Sequence, residues 1–374
     1  MVASLVPTED EVMLRDAARG FLSESSPTTA FRANRDVGRT YDPGLWKEMA
    51  QMGWTGVLLP EDAGGSDMGH RAAGILAEEM GEVLAASPFI SSAVMAASAL
   101  KGAAADRLSG IADGTSIYAL AIDEGSKHAP LRTDLKAEKS GNAFKLTGRK
   151  VFVADGGAAN RVLVLARTGG IAGEAEGLTL FDIDAARAGL TRTAKRTVDE
   201  RDHAQLDFDA VDATGDDVVG EVDGGMAALA TALNAGQAAL SAELLGVSAG
   251  AFGMTTTYLK ERKQFGRTIG SFQALQHRAA HLFAEIEITA SAIANAGRVL
   301  DQDPENAEIA VSIAKARATQ TAKLAVSEGV QLHGGMGMTD EFDMGFFMKR
   351  ARVGAEWLGD YGYHAARVAA ARGF

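Results

Sequence analysis

Glu243 is the only charged side chain between Gly224 and Leu259. The run around it is filled with small residues, among them Ala227, Ala228, Ala230, Ala232, Ala235, Ala238, Ala239, Ala242, Ala249 and Ala251. A helix that is apolar on every face is a buried one. A carboxylate on such a helix is costly unless it is paired or protonated, and desolvation raises its pKa toward neutrality, the range in which a general base works. Glu243 is therefore a candidate base. The plainer reading is a structural acid, protonated and hydrogen-bonded to a helix carbonyl.

Past this helix the chemistry changes. Lys260, Glu261, Arg262 and Lys263 form a charged cluster, Gln264, Phe265 and Gly266 make a turn, and Arg267, Phe272, Gln273, Gln276, His277 and Arg278 follow. Cations and amide donors beside an aromatic ring suit a ligand with phosphates and a flat ring. A solvated corner between two helices fits the same residues.

The elements that must position these groups are legible in outline. Thr8 with Glu11 three residues on is a capping box. The helix it opens has Val12, Leu14, Ala17, Ala18, Phe21 and Leu22 as its expected buried face. Further helices are expected around Leu45–Met52, Ala72–Val83 and Ser91–Ile111, making residues 1–115 an all-helical domain. Strand patterns follow over residues 116–224, at Ser116–Ile122, Phe144–Val153, Arg161–Arg167, Leu178–Ile183 and Gln205–Val211. Short strands punctuated by Gly141-Asn142, Gly156-Gly157 and Gly169-Gly170 point to a small sandwich or barrel rather than a parallel sheet. Residues 225–374 return to helix, over 225–260, 271–302, 305–333 and 345–371, punctuated by Pro304 and Gly334-Gly335.

Totals bound the function. The chain has 374 residues, 47% of them hydrophobic, which is ample for a large core. A net charge of -12 argues against nucleic acid or an anionic membrane surface as partner. Without cysteine there is no disulfide, thiolate metal site or cysteine nucleophile. No signal-peptide pattern opens the sequence, and Asn234, Gln237 and Glu243 interrupt the longest apolar run. A cytoplasmic protein is the expectation.

Three strings carry a family resemblance. YLKERKQFGRTIGSFQALQHR (Tyr258–Arg278) resembles the flavin-contacting signature of the acyl-CoA dehydrogenases. VQLHGGMGMTDEFDMGFFMKRAR (Val330–Arg352) resembles that family's second signature, and LWKEMAQMGWTGVLLPEDAGG (Leu45–Gly65) is similar to a third. Their order and spacing extend the likeness over nearly the whole chain. The resemblance implies an α+β fold with an N-terminal helical domain, a middle β-sandwich or barrel domain and a C-terminal four-helix bundle.

It also implies FAD, held between the middle domain and the bundle and completed by a neighbouring subunit. The residues matching the adenine and pyrophosphate half are Arg262, Phe265, Gln273, Gln331, Gly334 and Gly335. Those matching the ring half are Ile122, Phe152, Val153 and Ala154. Here the chain departs from the family: Asp123 stands for the threonine of the flavin loop, Ala129 for its serine, Phe152 for a tryptophan and Ala154 for a threonine. Two lost side-chain hydrogen bonds, at about 0.5–1.5 kcal/mol each, would weaken flavin binding by roughly one to two decades. Asp123 beside a reduced flavin would be unfavourable unless something pairs it.

The family's usual base lies in a C-terminal tetrad matched here by Trp357, Leu358, Gly359 and Asp360, and Leu358 cannot take a proton. Its alternative position, on the buried helix, matches Gly236. Glu243 lies seven residues further along that helix, about two turns, with Glu356 and Asp360 as weaker candidates. The implied reaction is α,β-dehydrogenation of an acyl-CoA, with an electron-transfer flavoprotein or similar acceptor and a homo- or heterotetrameric assembly with a related chain. The rival reading is a non-catalytic partner subunit that completes another chain's FAD site. Ala238, Ala239, Ala242 and Gly246 leave room for a bulky acyl chain or else permit close helix packing.

Overall fold

The computed structural model describes residues 5–102 and 105–374. In chain order the N-terminal helices are α1 (Glu9–Ser25), α2 (Thr28–Asp36), α3 (Pro43–Gln51), α4 (Gly69–Val83), α5 (Ala97–Leu100) and α6 (Leu108–Ala112). Strands β1 (Tyr118–Ala121), β2 (Lys136–Ser140), β3 (Ala143–Ala154), β4 (Arg161–Arg167), β5 (Leu178–Asp184), β6 (Leu190–Ala194), β7 (His203–Thr214) and β8 (Val218–Val219) come next. Helix α7 (Gly225–Glu261), the hairpin β9 (Lys263–Gln264) and β10 (Arg267–Thr268), then α8 (Gln273–Gln302), α9 (Ala307–His333), α10 (Met344–Glu356) and α11 (Tyr361–Ala371) complete the chain. These elements group into two compact units, one of residues 1–33, 70–85 and 237–374, the other of 34–69 and 86–236.

The first unit is helical. Thr8 and Glu11 form the expected capping box at the start of α1. Ala18 and Leu22 are buried on that helix, but Val12 and Ala17 face solvent. Ion pairs tie α1 to α4: Arg15 reaches Glu79 at 2.7 Å and Glu78 at 2.8 Å, and Arg71 reaches Glu11 at 2.6 Å. Helix α7 joins them through glycines. A Cβ on Gly246 would stand 1.9 Å from the Glu78 carbonyl oxygen, and one on Gly81 would stand 2.2 Å from that of Glu243. Small side chains here serve backbone-to-backbone packing, and the bulky-substrate reading loses Gly246 as open space.

Helix α7 is apolar all round yet contains buried hydroxyls at seven-residue spacing. Ser241, Ser248 and Thr255 each donate to the carbonyl four residues earlier, at 2.6, 2.8 and 2.7 Å. Each hydroxyl is thus satisfied inside its own helix and adds no unmet polar group to the core. An 18-residue stretch of α7 is long and apolar enough for a membrane, but 72% of that window is buried inside the protein, which accounts for its composition.

The second unit is built on one sheet. Its hydrogen-bonded order is β6-β7-β3-β2-β4-β5-β8, with β1 pairing β4. Most pairs are antiparallel, as expected; β1 and β2 run parallel to β4. The run RVLVLAR forms β4 over the residues expected and is buried from Val162 to Arg167. Strands β2 and β6, with the sequences KAEKS and LTRTA, escape a hydrophobic-pattern reading because almost every side chain on them is exposed. The stretch expected as one helix from Ser91 to Ile111 is a π-helical turn at Phe89–Ala96 followed by the short α5 and α6; residues 103 and 104 of it lie outside the described residues.

Candidate functional site

The basic, aromatic segment after α7 folds as a two-residue hairpin. Gln264 pairs with Arg267, and the turn residues Phe265 and Gly266 both have positive φ, 54° and 77°. That is the geometry of a type I′ turn, which favours Asn or Gly over a phenylalanine. The left-handed backbone costs of order 1–3 kcal/mol and holds the ring away from the protein, 88% exposed. Phe272 supports it edge-on at 6.2 Å between ring centroids, and the Arg267 guanidinium lies 4.0 Å over the Phe272 ring. Leu259, Ile269 and Leu332 form the core beneath, with Tyr258 and Phe272 packed on it.

A cavity of about 470 Å³ opens beside this hairpin, lined by Phe265, Phe272, Arg278, Gln331, His333 and Gly334 among others. Gln331 and Gly334 arrive from the end of α9. Gly334 ends that helix at φ 61°, ψ -139°, a conformation reserved for glycine. A Cβ on Gly334 or Gly335 would meet nothing within 4 Å, so the backbone there is open to an approaching ligand. His333 sits buried between the rings of Tyr258 and Phe342, at 4.5 and 4.4 Å, and donates from Nδ1 to the Gly329 carbonyl. Burial pushes its pKa down, against the Gly329 and Met254 carbonyls. Of the residues expected to bind the adenine half, Phe265, Gln331 and Gly334 line this cavity. Arg262, Gln273 and Gly335 lie beside it, exposed, at the hairpin base, the first turn of α8 and the turn after α9. Exposed aromatic, guanidinium and amide groups next to an open glycine backbone fit the ADP half of FAD.

The ring-side residues belong to the second unit. Phe152 stands at an irregularity of β3 where the register against β7 shifts between Lys150 and Val153. Its φ of 52° aims the ring outward, 58% exposed, while Val153 and Ala154 are buried. Bulges re-aim side chains in this way. The Val151 N–H donates to the Asp123 carbonyl and so fixes the flavin-loop match to β3. Ile122 is buried, and its carbonyl accepts from Lys150 Nζ at 2.8 Å.

Asp123 is paired, which the sequence left open. Its carboxylate accepts the Ala129 N–H and His128 Nδ1, each at 2.9 Å. Next to it Glu124 Oε1 accepts from Lys150 Nζ at 2.7 Å. Burial drives the Lys150 amine down to about 8 against the pull of Glu124 and Asp123. The loop's acids are engaged internally, so what this segment offers a flavin is backbone and the Phe152 face.

Glu243 is buried, 6% exposed, and pairs with Arg350 Nη1 of α10 at 3.3 Å. Arg350 is buried as well. Proton uptake by Glu243 would remove its charge from that buried contact, and breaking a buried ion pair costs about 3–5 kcal/mol. The geometry thus gives the carboxylate an anchoring partner. The contact made here is with a cation, Arg350, carried by a neighbouring helix.

The family's tetrad position is a tight break, not the continuous helix expected over 345–371. Helix α10 stops at Glu356, Leu358 and Gly359 have φ of 58° and 104°, and Asp360 caps α11 through the Tyr363 N–H. Leu358 is buried, and Gln237 and His364 both donate to its carbonyl at 3.1 Å. Asp360 is committed to its cap, and Glu356 pairs with Arg352 at 3.2 Å.

Sequence reasoning missed Arg350, Gln237, His364, Lys315, His128 and Lys150. For two the signal existed. Arg350 interrupts the apolar face Phe346, Phe347, Ala351, Gly354, and Lys315 interrupts the face Val311, Ala314, Ala318, Ala322.

Residues 8–106 match the acyl-CoA dehydrogenase N-terminal domain, and residues 223–372 match the acyl-CoA dehydrogenase C-terminal domain. The chain is 29% identical to acyl-CoA dehydrogenase IpdE2 of Mycobacterium tuberculosis, over 95% of this chain and 94% of that protein. A structure of a variant of the Tcur3481-Tcur3483 steroid ACAD shares 30% identity, with a TM-score of 0.87 and 97% of each chain covered. Butyryl-CoA dehydrogenase of Megasphaera elsdenii has the same fold, with a TM-score of 0.90 at 22% identity, covering 99% of this chain and 100% of that one. The order of helices, sheet and helices, the three signatures and these likenesses agree: the chain belongs to the acyl-CoA dehydrogenase family of FAD-dependent oxidoreductases.

Proposed function

We propose that this chain acts in the α,β-dehydrogenation of an acyl-CoA thioester, with Arg262, Phe265, Gln273, Gln331, Gly334 and Gly335 holding the ADP half of FAD. The observation that carries this is the strained Phe265 hairpin beside the cavity lined by Gln331 and Gly334. Arg262 pairs a phosphate, the glycine backbone admits an anion and the amides orient it. Ile122, Phe152, Val153 and Ala154 face the ring half through backbone and one aromatic surface. FAD, when bound, supplies the hydride acceptor. In this reading Glu243 takes the α-proton and Arg350 must release it. A cytoplasmic setting, an acceptor of the electron-transfer flavoprotein kind and a tetramer of like or related chains complete the proposal.

A second reading has its own support. The tetrad position is a buried leucine, and the helix carboxylate is ion-paired. In this reading the chain is a non-catalytic subunit lending its ADP-half residues to a related chain. The relative described as a Tcur3481-Tcur3483 steroid ACAD carries two designations in its name, in keeping with such pairing.

The flavin content of the chain purified alone separates them, with its visible spectrum followed anaerobically as acyl-CoAs are added. About one FAD per chain, bleached by an acyl-CoA, supports dehydrogenation by this chain. A colourless chain that stays colourless with added FAD, and gains flavin only with a related chain, supports the second.

A further inference from the structure

Donors from three helices converge on one short stretch of backbone. Lys315 of α9 is fully buried, and its Nζ donates to the carbonyls of Gly354 and Gly359 at 3.0 Å each. The Ala355 carbonyl and Thr319 Oγ1 lie at 3.4 Å. Every one of these acceptors is a neutral oxygen. Gln237 of α7 and His364 of α11 close on the carbonyl of Leu358. Ser312, one turn before Lys315, lies 3.3 Å from His364 Nδ1. Between these donors, residues 357–360 hold a left-handed leucine, which costs about 1–2 kcal/mol in an L-residue. The clamp is what keeps that conformation in place.

We propose that Lys315 is a positioning residue whose proton fixes the α10–α11 loop, and that the loop loosens when the proton leaves. An ammonium has three N–H donors for the two short carbonyl contacts and a third oxygen. An amine has two donors and a lone pair that must face a carbonyl. Burial lowers the Lys315 pKa to about 7, with Asp360 and Glu356 pulling the other way. The loop therefore changes its hold in the physiological range. Other titratable or charged groups nearby include His364 on α11, Arg367 on α11 with its partner Glu308 of α9, Glu356 with its partner Arg352 on α10, and Asp360 in the loop itself; α7 presents the neutral Gln237. This inference does not depend on which reading of the reaction holds, because it concerns the loop and not turnover.

The test is amide hydrogen exchange of the full chain from pH 6 to 9, read on peptides spanning residues 354–364 and corrected for intrinsic exchange. The expected result is an additional acceleration of roughly tenfold through a midpoint near neutrality, the equivalent of one net hydrogen bond. Lys315→Met removes the step, and Lys315→Arg, which stays charged, keeps the loop protected at high pH. Flat corrected rates in the wild type overturn the proposal. So does the same step persisting in Lys315→Met, and a step lost only in His364→Gln reassigns the switch to that ring. Should Lys315→Met fail to fold, ¹³Cε-lysine resonances of the wild type decide: a buried lysine titrating with the exchange step supports the proposal, and one titrating above pH 10 overturns it.

Discussion

Arg350 of α10 and Glu243 of α7, 107 positions apart in sequence, meet as a buried pair at 3.3 Å. Removing one partner breaks a buried ion pair. Arg350→Met should therefore cost about 3–5 kcal/mol in chemical denaturation, and Glu243→Leu with Arg350→Met together should recover most of it. Glu243→Gln separates chemistry from anchoring. If Glu243 is the base, this variant keeps its FAD and loses turnover. Unchanged turnover per folded chain would remove Glu243 from the mechanism.

Two glycines of α7 should respond oppositely to alanine. At Gly246 the new Cβ would fall 1.9 Å from the Glu78 carbonyl, so α4 and α7 must separate. The expected loss is about 1–3 kcal/mol or more. At Gly253 nothing lies within 4 Å, and alanine should add up to about 1 kcal/mol through helix propensity. Urea melts of the two variants check both signs. A neutral Gly246→Ala would restore the idea that its small size makes room for substrate.

Phe265→Ala should leave the fold's stability within about 0.5 kcal/mol, because the ring is exposed and alanine carries the same Cβ in the left-handed backbone. Flavin retention is expected to fall all the same. Equal FAD content in variant and wild type after gel filtration would remove Phe265 from the ADP-half proposal.

Glu11 is held below the usual carboxylate range, first by its hydrogen bond to Arg71, with burial opposing and the Thr8 N–H assisting. A depressed folded pKa gives stability that is present above the unfolded value near 4.5 and lost as pH falls through the lower folded value. Glu11→Gln should cost roughly 1 kcal/mol at pH 7, the scale of a capping group. The difference from wild type should vanish as the pH falls through that lower folded value. A pH-independent difference would mean that the ion pair contributes nothing.

Local chemistry made much of this protein readable from its sequence. The capping box at Thr8, the apolar run of β4, the unbroken alanine-rich helix and the three signatures needed only neighbouring residues to declare themselves. The sheet's polar strands β2 and β6 did not, since an exposed strand has no hydrophobic alternation to detect. The break at Trp357–Asp360 was hidden for a related reason: α10 and α11 have continuous helical periodicity, and only the clamp from Gln237, Lys315 and His364 makes a left-handed Leu358 tolerable.

The sequence alone determined that Glu243 would be buried, because it is the only charge between Gly224 and Leu259. Tertiary structure alone decided what that burial means. The partner Arg350 comes from a helix more than a hundred residues away, and the space beside Gly246 is filled by the backbone of α4. The same holds for Asp123, whose threat to a flavin depended on whether a distant or local group would pair it. A carboxylate's chemistry is set by the charges and donors within a few ångströms, and only the folded chain brings those together.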